Sequence, residues 1–269
     1  MSGNWKQILK KTLMGLLITG VLAGAFLLGF ERRRETRCVQ INVTIQDSTN
    51  THFVTADAVQ AYLAADYKGL MGMPGDSIDL YKIESILNSK SPILESQAYI
   101  TGKGILNISI TQRKPLVEFQ CKEYGMYSTA DGFLLPLHPD FTDEVIIIDG
   151  HIPLTMEDCR AGRPEKPESL KWLEDIIKVA AHIDGSRMWK GKIVQITCEQ
   201  SGELVLKPAA GKETFLFGHP NDIERKFEKM QVYYERITAD KGDDKYDVVD
   251  LRFRNQIVCK DTATAKKKK

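Results

Sequence analysis

The chain has 269 residues, 42% of them hydrophobic and 27% charged, the balance of a globular protein. Its 37 Lys and Arg nearly cancel its 36 Asp and Glu, and a net charge of +1 gives no basic footprint for nucleic acid. The cysteines (Cys38, Cys121, Cys159, Cys198, Cys259) are single and odd in number, which is neither a disulfide framework nor a metal-ligand spacing, though the count allows a single bridge.

Residues 1–11 form a short tail with Lys6, Lys10 and Lys11, and residues 12–30 (TLMGLLITGVLAGAFLLGF) then carry no charge. As a helix that run spans about 28 Å, close to the roughly 30 Å hydrocarbon core of a bilayer. A buried core helix would not be apolar on every face and bracketed by charge. Ala23-Gly24-Ala25 has the form of a signal-peptidase site, but cleavage there would leave Phe26 to Phe30 as a greasy N-terminus. Residues 12–30 are therefore expected to be a permanent transmembrane helix. Arg32, Arg33, Arg34 and Arg37 balance the lysines across it, so flanking charge does not fix the orientation. The short tail ahead of one large extramembrane part favours a cytoplasmic N-terminus.

The next segment, 38–112, alternates first as a strand: Val39, Ile41, Val43 and Ile45 face one way, Gln40, Asn42, Thr44 and Gln46 the other. Thr55 is a good N-cap for a helix with Val59, Tyr62 and Leu63 on its apolar side, and Asp79 for a second with Leu80, Ile83, Ile86 and Leu87. Ser91-Pro92 ends that helix. Two strands follow, with Ala98 and Ile100 on one face of the first and Leu106, Ile108 and Ile110 on one face of the second, joined at Gly102-Lys103-Gly104. The order β-α-α-β-β predicts two helices on a three-stranded sheet.

From 113 to 260 the composition turns to β. Short strands are expected at 116–121, 126–129, 133–135 and 145–148, with a turn at Asp131-Gly132. A proline- and charge-rich linker (160–167) leads to a helix with Leu170, Leu173, Ile176, Ile177, Ala180 and Ile183 on one side. Strands are expected at 193–198, 203–207 and 214–217. Asn221, with Glu224 three positions on, reads as a capping box opening a helix with the stripe Ile223, Phe227, Met230, Tyr234 and Ile237. After a polar loop (240–244) comes a final hairpin, 246–253 and 256–260, turning at Arg254-Asn255, with Val249, Leu251 and Phe253 on one face and Asp250 and Arg252 on the other. Residues 261–269 read as a disordered basic tail. The fold class is thus α+β: an N-terminal transmembrane helix, a small β-α-α-β-β domain, then a larger mixed antiparallel β-rich domain with two helices.

Catalytic chemistry is not evident. The five histidines (His52, His138, His151, His182, His219) stand far apart and in no zinc-ligand spacing. There is no G-x-S-x-G elbow, S-x-x-K pair or phosphate-cradling glycine loop. Asp243-Asp244 and Glu174-Asp175 are adjacent pairs, suited to solvation and not to acid/base work. No catalytic residue, cofactor, metal or small-molecule substrate is expected. The rival reading is a membrane-anchored or secreted cell-envelope hydrolase whose site assembles from distant loops.

The order of parts resembles the bacterial cell-division family FtsQ/DivIB, and the 38–112 unit resembles the POTRA module. Gln112-Arg113-Lys114-Pro115 is similar to the family's Glu-Arg-x-Pro signature, with Gln in place of the acid. Residues 127–133 (YSTADGF) resemble its Asp-x-x-Gly hairpin, and Phe217-Gly218 followed by Lys226 and Lys229 its Leu-Gly…Lys stretch. Val249-Asp250-Leu251-Arg252-Phe253 is close to its near-terminal Val-Asp-Leu-Arg-Phe strand. The whole pattern looks like the Bacteroidota branch. Asp47-Ser48-Thr49-Asn50 departs from the glycine the family places after the first strand.

The resemblance implies a non-enzymatic divisome scaffold in the inner membrane at the septum, with its β domains in the periplasm. It further implies FtsB/FtsL-like bitopic partners and a part in coupling septal peptidoglycan synthesis to division. An exposed terminal strand can accept a partner segment as an added strand. The final hairpin and the helix before it are the expected docking surface, with Tyr233 and Tyr234 as aromatic anchors and Val248, Val249, Leu251, Phe253, Ile257 and Val258 on the strands.

Overall fold

The computed structural model describes the backbone at residues 3–46, 53–137, 144–239 and 245–261, with side chains throughout except at 3–9 and 27–35. The loop at 240–244, the tail from 262 on, His52, His138 and the departure at 47–50 lie outside these residues.

One continuous helix, α1 (Gly3–Glu35), covers the uncharged run. Its described apolar side chains are exposed, Leu16 and Phe26 each at 73%. No helix among the described residues is long and apolar enough to cross a membrane. The expected span is therefore not met there. The stretch with described side chains, 10–26, opens on Lys10 and Lys11 and is shorter than the roughly 20 apolar residues a crossing needs.

The remainder divides into two compact units that meet in sequence at Gln112 and Arg113. In the first, β1 (Gln40–Ile45) precedes α2 (Ala56–Asp66) and α3 (Leu80–Asn88), and β2 (Ile93–Ile100) and β3 (Ile105–Gln112) form a hairpin. The sheet order is β1-β3-β2, with β1 parallel and β2 antiparallel to the central strand. The central strand alternates between buried Leu106, Ile108 and Ile110 and half-buried neighbours, and β1 alternates between half-buried Ile41, Val43 and Ile45 and exposed Gln40, Asn42 and Thr44. Both helices start where the capping residues place them. Thr55 Oγ1 accepts from the Ala58 amide (3.2 Å) and Asp79 Oδ1 from the Lys82 amide (2.9 Å). Val59, Leu63, Ile83 and Leu87 are buried on their inner sides, each burial worth about 1.5–3 kcal/mol. Val39 departs from its expected face; it precedes β1 and is 62% exposed. Gly104 at the hairpin turn has φ +77, and a Cβ there would collide with the Arg37 carbonyl oxygen, so only glycine fits.

Among the described residues the second unit is one nine-stranded sheet with helices. Its strands are β4 (Pro115–Gln120), β5 (Gly125–Thr129), β6 (Leu134–Pro136), β7 (Ile146–Gly150), β8 (Ile193–Cys198), β9 (Leu204–Pro208), β10 (Thr214–Gly218), β11 (Val248–Asp250) and β12 (Val258–Lys260). Its helices are α4 (Met156–Ala161), α5 (Pro167–Asp184) and α6 (Ile223–Val232), the last continuing as a π-helical turn at Tyr233–Thr238. The strand order is β12-β11-β10-β9-β8-β7-β4-β5-β6. Three neighbouring pairs, β4 with β7, β7 with β8 and β10 with β11, are parallel, more than the expected antiparallel character. Helices lie between β7 and β8 and between β10 and β11, and such a crossover returns the chain to the same end of the sheet, which parallel pairing requires.

Among the described residues the expected two helices are three. The capping box is at Thr155, whose hydroxyl accepts from the Asp158 amide while Asp158 accepts from the Thr155 amide; this opens α4, a helix not expected from the sequence, which runs into the first two residues of the expected linker. No capping box stands at Asn221. Asp222 is the N-cap, in the left-handed region at φ +48 with no capping hydrogen bond, and its carboxylate pairs with Arg225 at 2.6 Å.

The core of this unit lies between sheet and helices. Leu173, Ile176, Ile177, Ala180 and Ile183 of α5 are buried, as are Val117, Phe119, Ile148 and Ile196 from the strands. All five cysteines are free. The final hairpin is shorter than expected: two three-residue strands joined by the 251–257 loop. The Leu251 and Phe253 carbonyls are taken by Lys229 Nζ, the first at 2.9 Å, so they are diverted from the ladder between the two strands.

Candidate docking edge of the second unit

β12 ends the strand order and pairs only with β11, through Val248↔Lys260, Val249↔Cys259 and Asp250↔Val258. Among the described residues its other side has no strand against it, leaving one row of backbone donors and acceptors for an incoming strand.

The motif Val249-Asp250-Leu251-Arg252-Phe253 divides by alternation. Val249 and Leu251 point into the core and are fully buried. Leu251 also donates its amide to the Leu216 carbonyl (3.0 Å), extending the hold of β11 on β10. On the opposite face Arg252 grips Asp250 in a fork, Nε to Oδ1 at 2.9 Å and a terminal nitrogen to Oδ2 at 2.8 Å, and reaches Glu203 at 3.0 Å. Those bonds hold the buried Asp250 carboxyl below the usual carboxylate range and raise Arg252 further. The Arg252 stem crosses Gly218, which has φ +74 and where a Cβ would lie 2.8 Å from Arg252 Cγ.

Two lysines fasten α6 to the strand ends. Lys226 is buried and donates to the His219 carbonyl (2.6 Å) and Asn221 Oδ1 (2.9 Å). Lys229 holds the 251–257 loop through the two carbonyls already described. Burial lowers the pKa of both ammonium groups, the expected direction for a charge withdrawn from water.

The structure separates the eight expected docking residues into two groups. Tyr233 is fully buried, its ring edge-on to Phe215 at 5.6 Å. With Val249 and Leu251 it belongs to the core, and burial removes all three from the surface. Tyr234 is half-buried and tied inward: its hydroxyl donates to Glu213 Oε1 (2.6 Å) and Lys192 Nζ stands 3.4 Å from its ring centre. Tyr233 follows Lys226 and Met230 at helical spacing on the buried side of α6, and Tyr234 beside it is held inward by its bond to Glu213. Phe253 (45% exposed) stays at the surface, and Ile257, Val258 and Val248 are half-buried along the hairpin.

A groove of about 500 Å³ runs between α6 and the 251–257 loop. Its apolar side chains are Val232, Ile237 and Ile257, and the cations Arg225, Lys229 and Arg254 outnumber its one acid, Glu228. Sequence reasoning missed Val232, Arg225 and Arg254. The available signal was Val232 itself, an apolar residue off the buried stripe and 38% exposed. Chemically the arrangement offers backbone pairing, an apolar slot and positive charge. Among the described residues no group of three or more His, Cys, Asp or Glu is placed to hold a metal ion.

Compared with known proteins, residues 36–111 match the POTRA-like domain and residues 114–260 the domain described as FtsQ/DivIB, C-terminal related. No curated protein matches the chain. The second match covers more than half the sequence and runs from the start of β4 to the end of β12, including the Asp250–Arg252 fork and the lysines of α6; the chain belongs to the FtsQ/DivIB family.

Proposed function

We propose that this protein is a non-enzymatic divisome scaffold that captures FtsB/FtsL-like bitopic proteins by adding a segment of them to β12. Membership of the family supports a cell-division scaffold role. The observation that carries the docking reading is the position of β12: last in a nine-stranded sheet, with a groove beside it. An added strand gains backbone bonds from the edge, and its alternate side chains reach Phe253, Ile257 and the groove. The cations Arg225, Lys229 and Arg254 favour a segment with acidic residues at those positions.

On this reading residues 12–30 anchor the chain in the inner membrane with the N-terminus cytoplasmic, both units in the periplasm and the protein at the septum. What supports an anchor is the uncharged run within a 33-residue helix whose described apolar side chains face solvent. The scaffold thereby helps to couple septal peptidoglycan synthesis to division.

Val249 gives its backbone groups to β10, so Val258 and Lys260 bond back to β11 and Cys259 turns its amide outward. The test is co-purification of an FtsB/FtsL-like partner with Cys259→Pro and Ile257→Glu variants. Proline strips the outward donor while the bonds to β11 remain, and the carboxylate spoils the apolar side of the groove. Both should keep the circular dichroism of the parent and lose the partner. Undiminished capture by a folded Cys259→Pro protein contradicts the strand-addition reading.

A further inference from the structure

The first unit also ends in a strand edge, and that edge is closed from within. β2 lies at the margin of the order β1-β3-β2. Thr101 donates its amide to the Ile105 carbonyl at 2.9 Å, which fixes the parity of the hairpin. Residues 97 and 99 therefore turn their backbone groups toward β3, and Ser96, Ala98 and Ile100 turn theirs outward. The outward amide of Ala98 is not left open. It donates to Glu84 Oε1, from the middle of α3, at 2.7 Å.

The neighbouring contacts hold the carboxylate in place. Ser96, two residues back on the same face and buried, donates its hydroxyl to the Glu84 carbonyl (3.3 Å) and to Asn88 Oδ1 (2.8 Å). The helix is thus tied to the strand a second time, two residues before the latching bond. The edge has side chains suited to association, Leu94 at 51% and Tyr99 at 59% exposure, so its backbone is what must be guarded.

We infer that Glu84 is an edge latch: its carboxylate occupies the Ala98 amide and prevents β2 from pairing with the β2 strand of a second copy of this chain. A charge-assisted bond to a backbone amide is stronger than a neutral ladder bond, so an incoming strand gains less than it displaces. This inference does not depend on the docking role of β12.

The test uses the full chain in detergent, followed by sedimentation velocity over a concentration series and by amide hydrogen exchange. Glu84→Ala should raise the apparent mass with concentration relative to the parent. At low concentration it should speed exchange at Ala98 about tenfold or more, the loss expected for a charge-assisted bond. Glu84→Gln keeps an acceptor oxygen and should behave like the parent. Glu84→Ala with Ala98→Pro should return to the parent mass, because the outward amide is gone while the bonds to β3 remain. Should Glu84→Ala lose helical signal, Glu84→Lys removes the acceptor while keeping the stem that packs on the strand. An acceptor-free variant that is folded and matches the parent in mass at every concentration overturns the inference, and so does unchanged exchange at Ala98.

Discussion

Asp250 and Arg252 hold each other through the two-residue span that the sheet leaves on its outer side, and that pair explains why the motif needs an acid and an arginine two apart. The Asp250 carboxyl is depressed by the Arg252 fork, so its contribution to stability is present above the unfolded value near pH 3.9 and is lost as pH falls through the lower folded value. Asp250→Asn should therefore cost about 1.5–3 kcal/mol at pH 7, toward the low end because Arg252 is 41% exposed. Urea melts of parent and variant should converge below about pH 4; a gap undiminished at pH 3 contradicts the assignment. Gly218 beneath the arginine stem makes a second case. Gly218→Ala meets both a positive φ and the Arg252 stem, and thermal melts should show a loss of about 1–3 kcal/mol. Burial pushes the Cys198 thiol up to about 12, so that cysteine is inert packing and not a nucleophile.

At the scale of elements, α6 and its π-turn decide which residues belong to core and which to surface. Tyr233→Ala should cost about 3–5 kcal/mol because it empties a filled site, whereas Ile257→Ala at the groove should cost far less and show its effect in partner capture. Equal costs in denaturant melts would contradict the division. Lys229→Met keeps the stem but drops the two carbonyl bonds. It should leave the main transition in place while raising hydrogen exchange across 251–257. Much of this architecture was legible in the sequence. The stripe of α5 and the caps at Thr55 and Asp79 are local signals, read by spacing and side-chain chemistry. The alternation in β3 is equally local. The parallel pairs were not legible because parallel and antiparallel strands carry the same short apolar runs, and only the returning helices distinguish them. Tyr233 was placed on the surface although it stands three residues after Met230 on the buried side of α6; a stripe drawn through Tyr234 alone leaves out its neighbour, which helical spacing also allows to face inward. The capping box at Asn221 failed because Asp222 takes the left-handed conformation that turns the chain into α6.

For the whole molecule the sequence gives more by the order of its parts than by any one motif, since the two family matches fall on the two units into which the chain divides. The candidate site was half legible. The strand motif located the edge, while the groove beside it is made by a lysine reaching from α6 to a loop distant in sequence, which no spacing rule encodes. The proposed anchor makes a separate prediction. The full chain should stay in the membrane pellet through alkaline carbonate extraction, and a chain starting at residue 36 should be released; release of the full chain contradicts an anchor at 12–30. The central claim, that a partner adds to β12, is tested most directly by hydrogen-exchange mass spectrometry of the chain with and without an FtsB/FtsL-like protein. Strand addition predicts slowed exchange concentrated at 248–260 and the facing side of α6. Tight complex formation with exchange at 258–260 unchanged, and protection appearing elsewhere, would contradict it.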